Sequence, residues 1–272
     1  MDLLQIKALS VTARLPQGTF PVLNKISLEI ATNETLALIG ESGSGKTMLA
    51  LATLGLLPSN LTARGEIQFL GKNIIAGAEN ELINLRGRQI AMIFQNAKSA
   101  FNPTFRVGAQ LVEVMQTHLQ LSKQQAKRRA LELFAETDLS DPDTVYHAYP
   151  HQLSGGMAQR AMIAMGLSCS PKLVIADEPT SALDTTTQRQ IIDLLQKMQK
   201  QHGFALWVIS HDLALVAEIA DRIAVMKDGR IVESGTTTQI INNPTHPYTQ
   251  LLLGEIQPNL INEHMQEVHE VY

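Results

Sequence analysis

TLALIGESGSGKTMLALATLGLL, residues 35–57, decides how this chain is read. Thr35 to Ile39 is a short, nearly continuous apolar run, the pattern of a strand buried on both faces, and it implies a central parallel sheet. The run stops at Gly40, and from Lys46 the segment MLALATLGLL is helical in length and composition, with Pro58 as its expected end. Between strand and helix, Gly40, Glu41, Ser42, Gly43, Ser44, Gly45, Lys46 and Thr47 fit the phosphate-binding pattern G-x-x-x-x-G-K-[ST]. There the glycines let successive backbone N–H groups converge on phosphate oxygens, and the helix N-terminus adds partial positive charge. Lys46 then reaches the β and γ phosphates, and Thr47 supplies a Mg²⁺ ligand.

The composition fits a globular protein, with 44% hydrophobic residues in 272 and a mean hydropathy near zero. The longest apolar run, Met48 to Leu57, falls well short of the roughly 18 to 20 residues of a membrane-spanning helix. The start MDLLQIKALSV has no secretory-signal pattern, so cytoplasmic residence is expected. A single cysteine, Cys169, excludes an intramolecular disulfide, a zinc site built on several thiolates and a Cys-ligated iron-sulfur cluster within one chain; it reads as a small buried apolar residue. A net charge of −4, from 22 basic and 26 acidic residues, offers no basic field, and no nucleic-acid partner is expected. The one dense basic run, KQQAKRR at 123–129, reads as a solvated helix face.

Working outward, residues 3–11 and 22–30 alternate as strands of an antiparallel sheet, and 66–74 reads as a hairpin turned at Gly71. Residues 105–170 are rich in helix formers with no convincing strand, a helical insertion that splits the sheet. Strand signals resume at LVIAD (173–177) and ALWVIS (205–210), with a helix over 187–201 between them. A last hairpin turns at Asp228-Gly229, residues 236–253 are helical in part, and 254–272 drift into a polar tail.

The strand LVIAD runs straight into two carboxylates. Asp177 suits Mg²⁺ coordination, and Glu178 can orient or deprotonate a water for in-line attack on a γ-phosphate. Further back, Ser154 is a plausible N-cap of the helix MAQRAMIAMGL, and Gly155 and Gly156 expose backbone N–H groups beside it, a second anion site. Two chains facing head to tail would let each site serve a different nucleotide.

LSGGM followed by AQR resembles the signature sequence of ATP-binding cassette proteins, and Gln95, SALD at 181–184 and His211 fall in order where that family has its Q-loop, D-loop and switch histidine. The resemblance covers residues 3 to about 253. It implies an α/β fold, a P-loop NTPase core of mixed sheet with helices on both faces, an antiparallel β subdomain and an inserted α-helical signature subdomain. The domain would be 1–253, its helical subdomain about 100–170, and 254–272 a C-terminal tail. The resemblance further implies two cassettes sandwiching two ATP molecules, with Ser154, Gly155 and Gly156 on the nucleotide held by the partner's phosphate loop and Asp184 in the D-loop. His211 would hydrogen-bond the γ-phosphate, Glu178 would act in catalysis, and Gln95 would join Thr47 and Asp177 around Mg²⁺ and act in catalysis by sensing the attacking water. Met157 stands where the family's commonest signature has Gln. Phe20, the only aromatic before the phosphate loop, is either the family's base-stacking aromatic or a partly buried strand-start residue.

NPTHPYTQLLL, residues 243–253, resembles the ATPase subunits of peptide and nickel importers, and QNAKSAFNP and SGGMAQRAMIAM look closer to the nickel-importer subunits. Such systems pair two cassette chains, identical or related, with two transmembrane permeases and an extracytoplasmic solute-binding protein, the ATPase lying peripherally on the cytoplasmic side of the inner membrane. The resemblance therefore implies ATP-driven uptake of nickel or a metal chelate. The alternatives are a di- or oligopeptide importer, an exporter ATPase, and a cassette ATPase acting on nucleic acid or ribosomes. Coupling to a permease would pass through residues 95–105, where Phe101 either belongs to an exposed apolar surface that receives a membrane-protein helix or anchors the insertion to the core. In the tail, His264, Glu267, His269 and Glu263 are a candidate ligand set for a divalent metal beside the reading of a solvated terminus.

Overall fold

Leu4, Ile6, Leu9 and Val11 on one strand, and Leu23, Ile26, Leu28 and Ile30 on the next, are all buried, and the alternation is loose for a structural reason. The computed structural model describes residues 2–254 apart from 76, 78 and 182. In it β1 (Asp2–Leu15) pairs antiparallel with β2 (Gly18–Ala31), and the register shifts between Ile6 and Leu9 and again between Leu9 and Val11. Ala8 and Lys25 take positive φ there, and each freed N–H donates to a serine on the opposite strand: Ala8 to Ser27 Oγ at 3.1 Å and Lys25 to Ser10 Oγ at 3.0 Å. These bulges shift the side-chain period, so strict alternation fails while both strands keep one apolar face.

Next come β3 (Thr35–Ile39), buried throughout, and α1 (Lys46–Thr53). The helix ends before Pro58. Gly55 takes φ 63°, its N–H donates to Ala52 O and the Leu56 N–H to Leu51 O, the paired bonds of a left-handed C-terminal cap that Gly adopts without strain. The expected stop at Pro58 is thus corrected to Gly55. β4 (Leu61–Phe69) and β5 (Lys72–Asn73) form the hairpin, turning through Leu70 and Gly71. Then follow α2 (Glu79–Leu85), β6 (Ile90–Ile93), α3 (Ala97–Ala100), α4 (Val107–Leu119), α5 (Lys123–Glu136), α6 (Pro142–His147), a 3₁₀ turn at Pro150–Gln152 and α7 (Gly155–Leu167). The strand β6 lies in a stretch for which the sequence reading gives no strand.

The chain returns to the sheet with β7 (Leu173–Asp177), α8 (Thr185–His202), β8 (Ala205–Ser210), α9 (Leu213–Ala217), β9 (Arg222–Lys227) and β10 (Arg230–Thr236), and the described part closes with α10 (Thr237–Asn242) and α11 (Pro247–Gly254). One sheet has the order β2-β1-β4-β5 and is antiparallel; the other runs β10-β9-β3-β8-β7-β6, parallel except at β10. Side chains of the six-stranded sheet divide by parity. Leu36, Leu38, Trp207 and Ile209 join the core shared with the antiparallel sheet and α1, whereas Ala37, Ile39, Leu206 and Val208 join the core shared with α4, α5, α7 and α8. Covering both faces is what makes the parallel strands apolar throughout.

Phe101 is 1% exposed and packs in the helical core with Leu111 and Met162, which corrects the reading of it as part of an exposed docking surface. It caps the short α3 and points inward; Phe94 and Phe105 are the exposed aromatics of this stretch. Cys169 is buried, and burial raises its thiol pKa, so it packs as an apolar side chain. On α5, Arg129 pairs with Glu136 at 2.9 Å, while Lys123 and Arg128 face solvent.

The approach to α11 is fastened by Glu233. Its carboxylate accepts from Thr245 N–H at 2.7 Å, Thr245 Oγ1–H at 2.8 Å and His246 N–H at 3.1 Å. Burial alone would raise its pKa; the Thr249 hydroxyl nearby and the donors from Thr245 and His246 outweigh that and hold it down to about 2. A depressed carboxyl contributes stability that is present above its unfolded pKa, about 4.3, and lost as pH falls through 2. The melting temperature of wild type should therefore exceed that of Glu233→Gln by a constant margin above pH 5, shrinking to nothing towards pH 2. A margin independent of pH would remove the ionised clasp. No described helix is long and apolar enough to cross a membrane.

Candidate nucleotide site

The parallel sheet delivers its polar residues at one edge. β3 ends at Ile39 before Gly40, β8 at Ser210 before His211, β7 at Asp177 before Glu178, and β6 shortly before Gln95; these four strands are neighbours in the order β3-β8-β7-β6. In a parallel sheet the crevice beyond the carboxyl ends is where ligands bind, because loops and helix N-termini open there.

Residues 40–45 turn from β3 into α1. At Gly40 a β-carbon would stand 2.1 Å from the Met226 carbonyl oxygen of β9, so only glycine lets the loop leave the strand this close to its neighbour. Lys46 folds back over the loop, its Nζ donating to Gly40 O at 2.7 Å and Glu41 O at 2.9 Å. Burial lowers the Lys46 pKa, and Glu178, Asp177 and Glu41 oppose that by favouring the cation. Ser44 Oγ is buried with no hydrogen-bond partner, a polar atom in the loop that a phosphate oxygen would satisfy.

Thr47 Oγ1 donates to Asp177 Oδ1 at 3.2 Å, which brings the first turn of α1 to the end of β7. Burial raises the Asp177 pKa, the Thr47 hydroxyl lowers it, Glu178 raises it further and Lys46 lowers it. A hydroxyl and a carboxylate at this spacing are hard oxygen donors of the kind Mg²⁺ takes, so the residues present fit that ion. Glu178 follows with φ 45°, uncommon for a residue with a side chain, its N–H tied to Ile209 O at 2.9 Å. This turn aims its carboxylate between two groups: Gln95 Nε2 donates to Oε2 at 2.9 Å, and His211 Nδ1 stands 3.6 Å from Oε1. Glu178 is largely covered, with 18% of its side chain exposed, whereas His211 is 61% exposed.

Ser154, Gly155, Gly156 and Asp184 form a second group. Ser154 Oγ accepts from Met157 N–H at 3.2 Å and caps α7, as its sequence predicts. Asp184 caps α8, accepting from Thr187 N–H at 3.0 Å and Thr187 Oγ1–H at 2.8 Å. The two caps are neighbours, since a β-carbon on Gly155 would lie 3.2 Å from Leu183 and one on Gly156 3.0 Å from Thr187. Met157 packs against the helical core. Phe20 lies near the start of β2 with its ring 46% exposed. The tail residues Glu263, His264, Glu267 and His269 lie outside the described residues. Among the described residues no cluster of three or more His, Cys, Asp or Glu side chains could hold a metal.

Sequence reasoning missed two parts of the site. The strand that carries Gln95 is signalled by IAMIF, an apolar run bounded by Arg88-Gln89 and Gln95-Asn96. Tyr248 reaches the phosphate loop from α11, and a local pattern could not signal a contact across 207 positions.

A glycine-rich loop entering a helix, with a strand-end carboxylate hydrogen-bonded to the loop's threonine at the carboxyl edge of a parallel sheet, defines a P-loop ATPase. The chain belongs to the ABC transporter family, whose description matches residues 23–181, more than half of its length, and it is an ATP-hydrolysing cassette of that family. It is 46% identical over 258 residues to the dipeptide transport ATP-binding protein DppD of Haemophilus influenzae, covering 94% of this chain and 78% of that protein. It is 40% identical over 268 residues to the metal-staphylopine import system ATP-binding protein CntD of Staphylococcus aureus, covering 98% and 97%. Among solved structures, a dimeric ATP-binding cassette in a post-hydrolysis state bound to ADP and Pi superposes with a TM-score of 0.76 at 27% identity, over 86% of this chain and 98% of that one.

Proposed function

We propose that this chain is the ATP-hydrolysing subunit of an importer that takes up nickel or a metal chelate. The observation that carries the ATPase chemistry is the convergence of Gln95 and His211 on the Glu178 carboxylate, one residue beyond the acid that meets Thr47. In this reading the amides of Gly40, Glu41, Ser42, Gly43, Ser44 and Gly45 shape the ATP cradle, and Lys46 swings from the loop carbonyls to the β and γ phosphates. Thr47, Asp177 and Gln95 hold Mg²⁺, which when bound neutralises phosphate charge and orients the γ-phosphoryl group. Glu178 takes the proton of the attacking water, and His211, exposed at the end of β8, hydrogen-bonds the γ-phosphate.

Ser154, Gly155, Gly156 and Asp184 act on the nucleotide of a second cassette chain, identical or related, packed head to tail; the dimeric cassette structure of similar fold supports that pairing. The exposed ring of Phe20 is the surface available for adenine stacking. Two transmembrane permeases dock on the cassettes, and the groove of about 460 Å³ lined by Leu56, Ile83, Met92, Phe94, Val114 and Met165 supports a docking site there. The chain then works peripherally at the cytoplasmic side of the inner membrane, with an extracytoplasmic binding protein delivering solute to the permeases.

The metal reading is supported by the QNAKSAFNP and SGGMAQRAMIAM segments and by 40% identity to the metal-staphylopine subunit. A second reading, a di- or oligopeptide importer, is favoured by 46% identity to the dipeptide subunit. Tagging the chain, isolating it with its native membrane and identifying the proteins that accompany it by mass should yield two permeases, a second cassette chain and a binding protein for nickel or a metallophore. A peptide-binding protein in that place would select the second reading. Recovery with nucleic acid or ribosomes and no permease would overturn the importer.

A further inference from the structure

The phosphate loop is tethered from behind by the last described helix. The Glu41 N–H donates to the Tyr248 hydroxyl oxygen at 3.0 Å. Tyr248, second residue of α11, is only 4% exposed, and Lys227 Nζ sits 4.4 Å from its ring centroid, close enough for a cation–π contact. Two things fix that ring from outside the loop: the Lys227 contact, and the Glu233 carboxylate that accepts from Thr245 and His246 just before α11. Farther along the loop, Gly229 N–H donates to Ser44 O at 3.0 Å, and Asn24 N–H donates to Gly229 O at 2.8 Å. Glu41 is thus held at the loop's entrance by α11, and Ser44 by the β9–β10 turn.

We propose that Tyr248 is a positioning residue for the phosphate loop: its hydroxyl fixes the entrance at Glu41 so that the amides beyond it are aligned before ATP arrives, and the Glu233 clasp keeps Tyr248 in place. The inference rests on the reading of residues 40–47 as the ATP cradle. A glycine-rich loop left to itself samples many conformations, and ordering it on binding costs affinity; a tether already in place removes part of that cost. The bond uses an N–H that faces α11, so its effect passes through loop geometry. It should act on ATP binding and leave the chemical step alone.

The test is Tyr248→Phe in the full chain, which removes the hydroxyl and keeps the ring beside Lys227. ATP affinity, from titration with a fluorescent ATP analogue, should fall about fivefold, the size of one net hydrogen bond, and KM for ATP should rise by the same factor while kcat changes less than twofold. Glu233→Gln should raise KM in the same direction, and the double variant should raise it no further than the larger single effect, because both act through one tether. Unchanged affinity in Tyr248→Phe, or effects that simply multiply, would overturn the proposal. If Tyr248→Phe does not fold, Glu233→Gln decides: a raised KM supports the tether, and a wild-type KM overturns it. Wild type and Lys46→Ala run alongside. Wild type that fails to bind the analogue would bring down the cradle reading and the tether with it, whereas wild-type binding lost in Lys46→Ala but unchanged in Tyr248→Phe removes Tyr248 alone.

Discussion

Glu178→Gln is expected to bind ATP and accumulate as a nucleotide-bound dimer while its turnover drops about 10²- to 10⁴-fold, the usual range for loss of a general base. The geometry makes this substitution nearly isosteric. Glu178 is held at φ 45° by its N–H bond to Ile209 O, so the backbone that aims the side chain does not depend on the carboxylate. A glutamine there still offers an oxygen to Gln95 Nε2, now 2.9 Å from Oε2, and it removes one negative charge beside Lys46 and Asp177. Removing that charge leaves the phosphates in a less anionic site, so binding should hold or tighten. What disappears is the proton acceptor, and with it the step that would let the pair reopen. Phosphate release measured beside size-exclusion chromatography with and without ATP checks both halves. Unchanged turnover would take Glu178 out of the catalytic role, and lost turnover with no ATP-dependent dimer would detach hydrolysis from reopening.

The parts of this protein legible in the sequence are those that local physics fixes. TLALI and LVIAD are apolar throughout because β3 and β7 are covered on both faces, and each ends where the polar residues of the site begin. Ser154 and the Asp228-Gly229 turn are read correctly because capping and tight turns are decided within four residues. The end of α1 differs from the expected Pro58 because Pro58 is a strong signal and Gly55 a weaker one, yet the left-handed cap at Gly55 forms first along the chain. β6 is not legible locally because four residues of apolar sequence do not separate a strand from a short helix without the neighbour, β7, that pairs with it. Phe101 shows the limit on side-chain fate: the sequence leaves it open to solvent or to the core, and only the packing of α3 on α7 decides. The approach of Gln95 and His211 to Glu178 spans three strands and has no local signature; only the strand order of the sheet creates it.

Gly40→Ala should cost about 3 kcal/mol of stability and weaken ATP binding about 10²-fold, although it adds a single methyl group. The new carbon would stand 2.1 Å from the Met226 carbonyl oxygen, a backbone atom. β9 cannot step aside freely, because it is locked parallel to β3 through Leu38 to Ala224 and Ile39 to Val225 and antiparallel to β10 through Met226 to Ile231. The loop must therefore give way, and it moves at its root. Every amide from Glu41 to Thr47 is carried with it, and so are the Lys46 bonds to Gly40 and Glu41. An ångström at that root is the displacement to which an aligned set of donors is most sensitive. Gly71→Ala isolates the other contribution: Gly71 also has positive φ, at 75°, but nothing lies within 4 Å of its missing β-carbon and it sits in the β4–β5 turn. It should cost only the backbone penalty, about 1 kcal/mol, and leave ATP binding unchanged. Thermal unfolding and nucleotide titration of the two variants side by side separate the close approach from the backbone conformation. Equal losses in both, or wild-type ATP affinity in Gly40→Ala, would mean that the proximity of β9 does not set the shape of the loop.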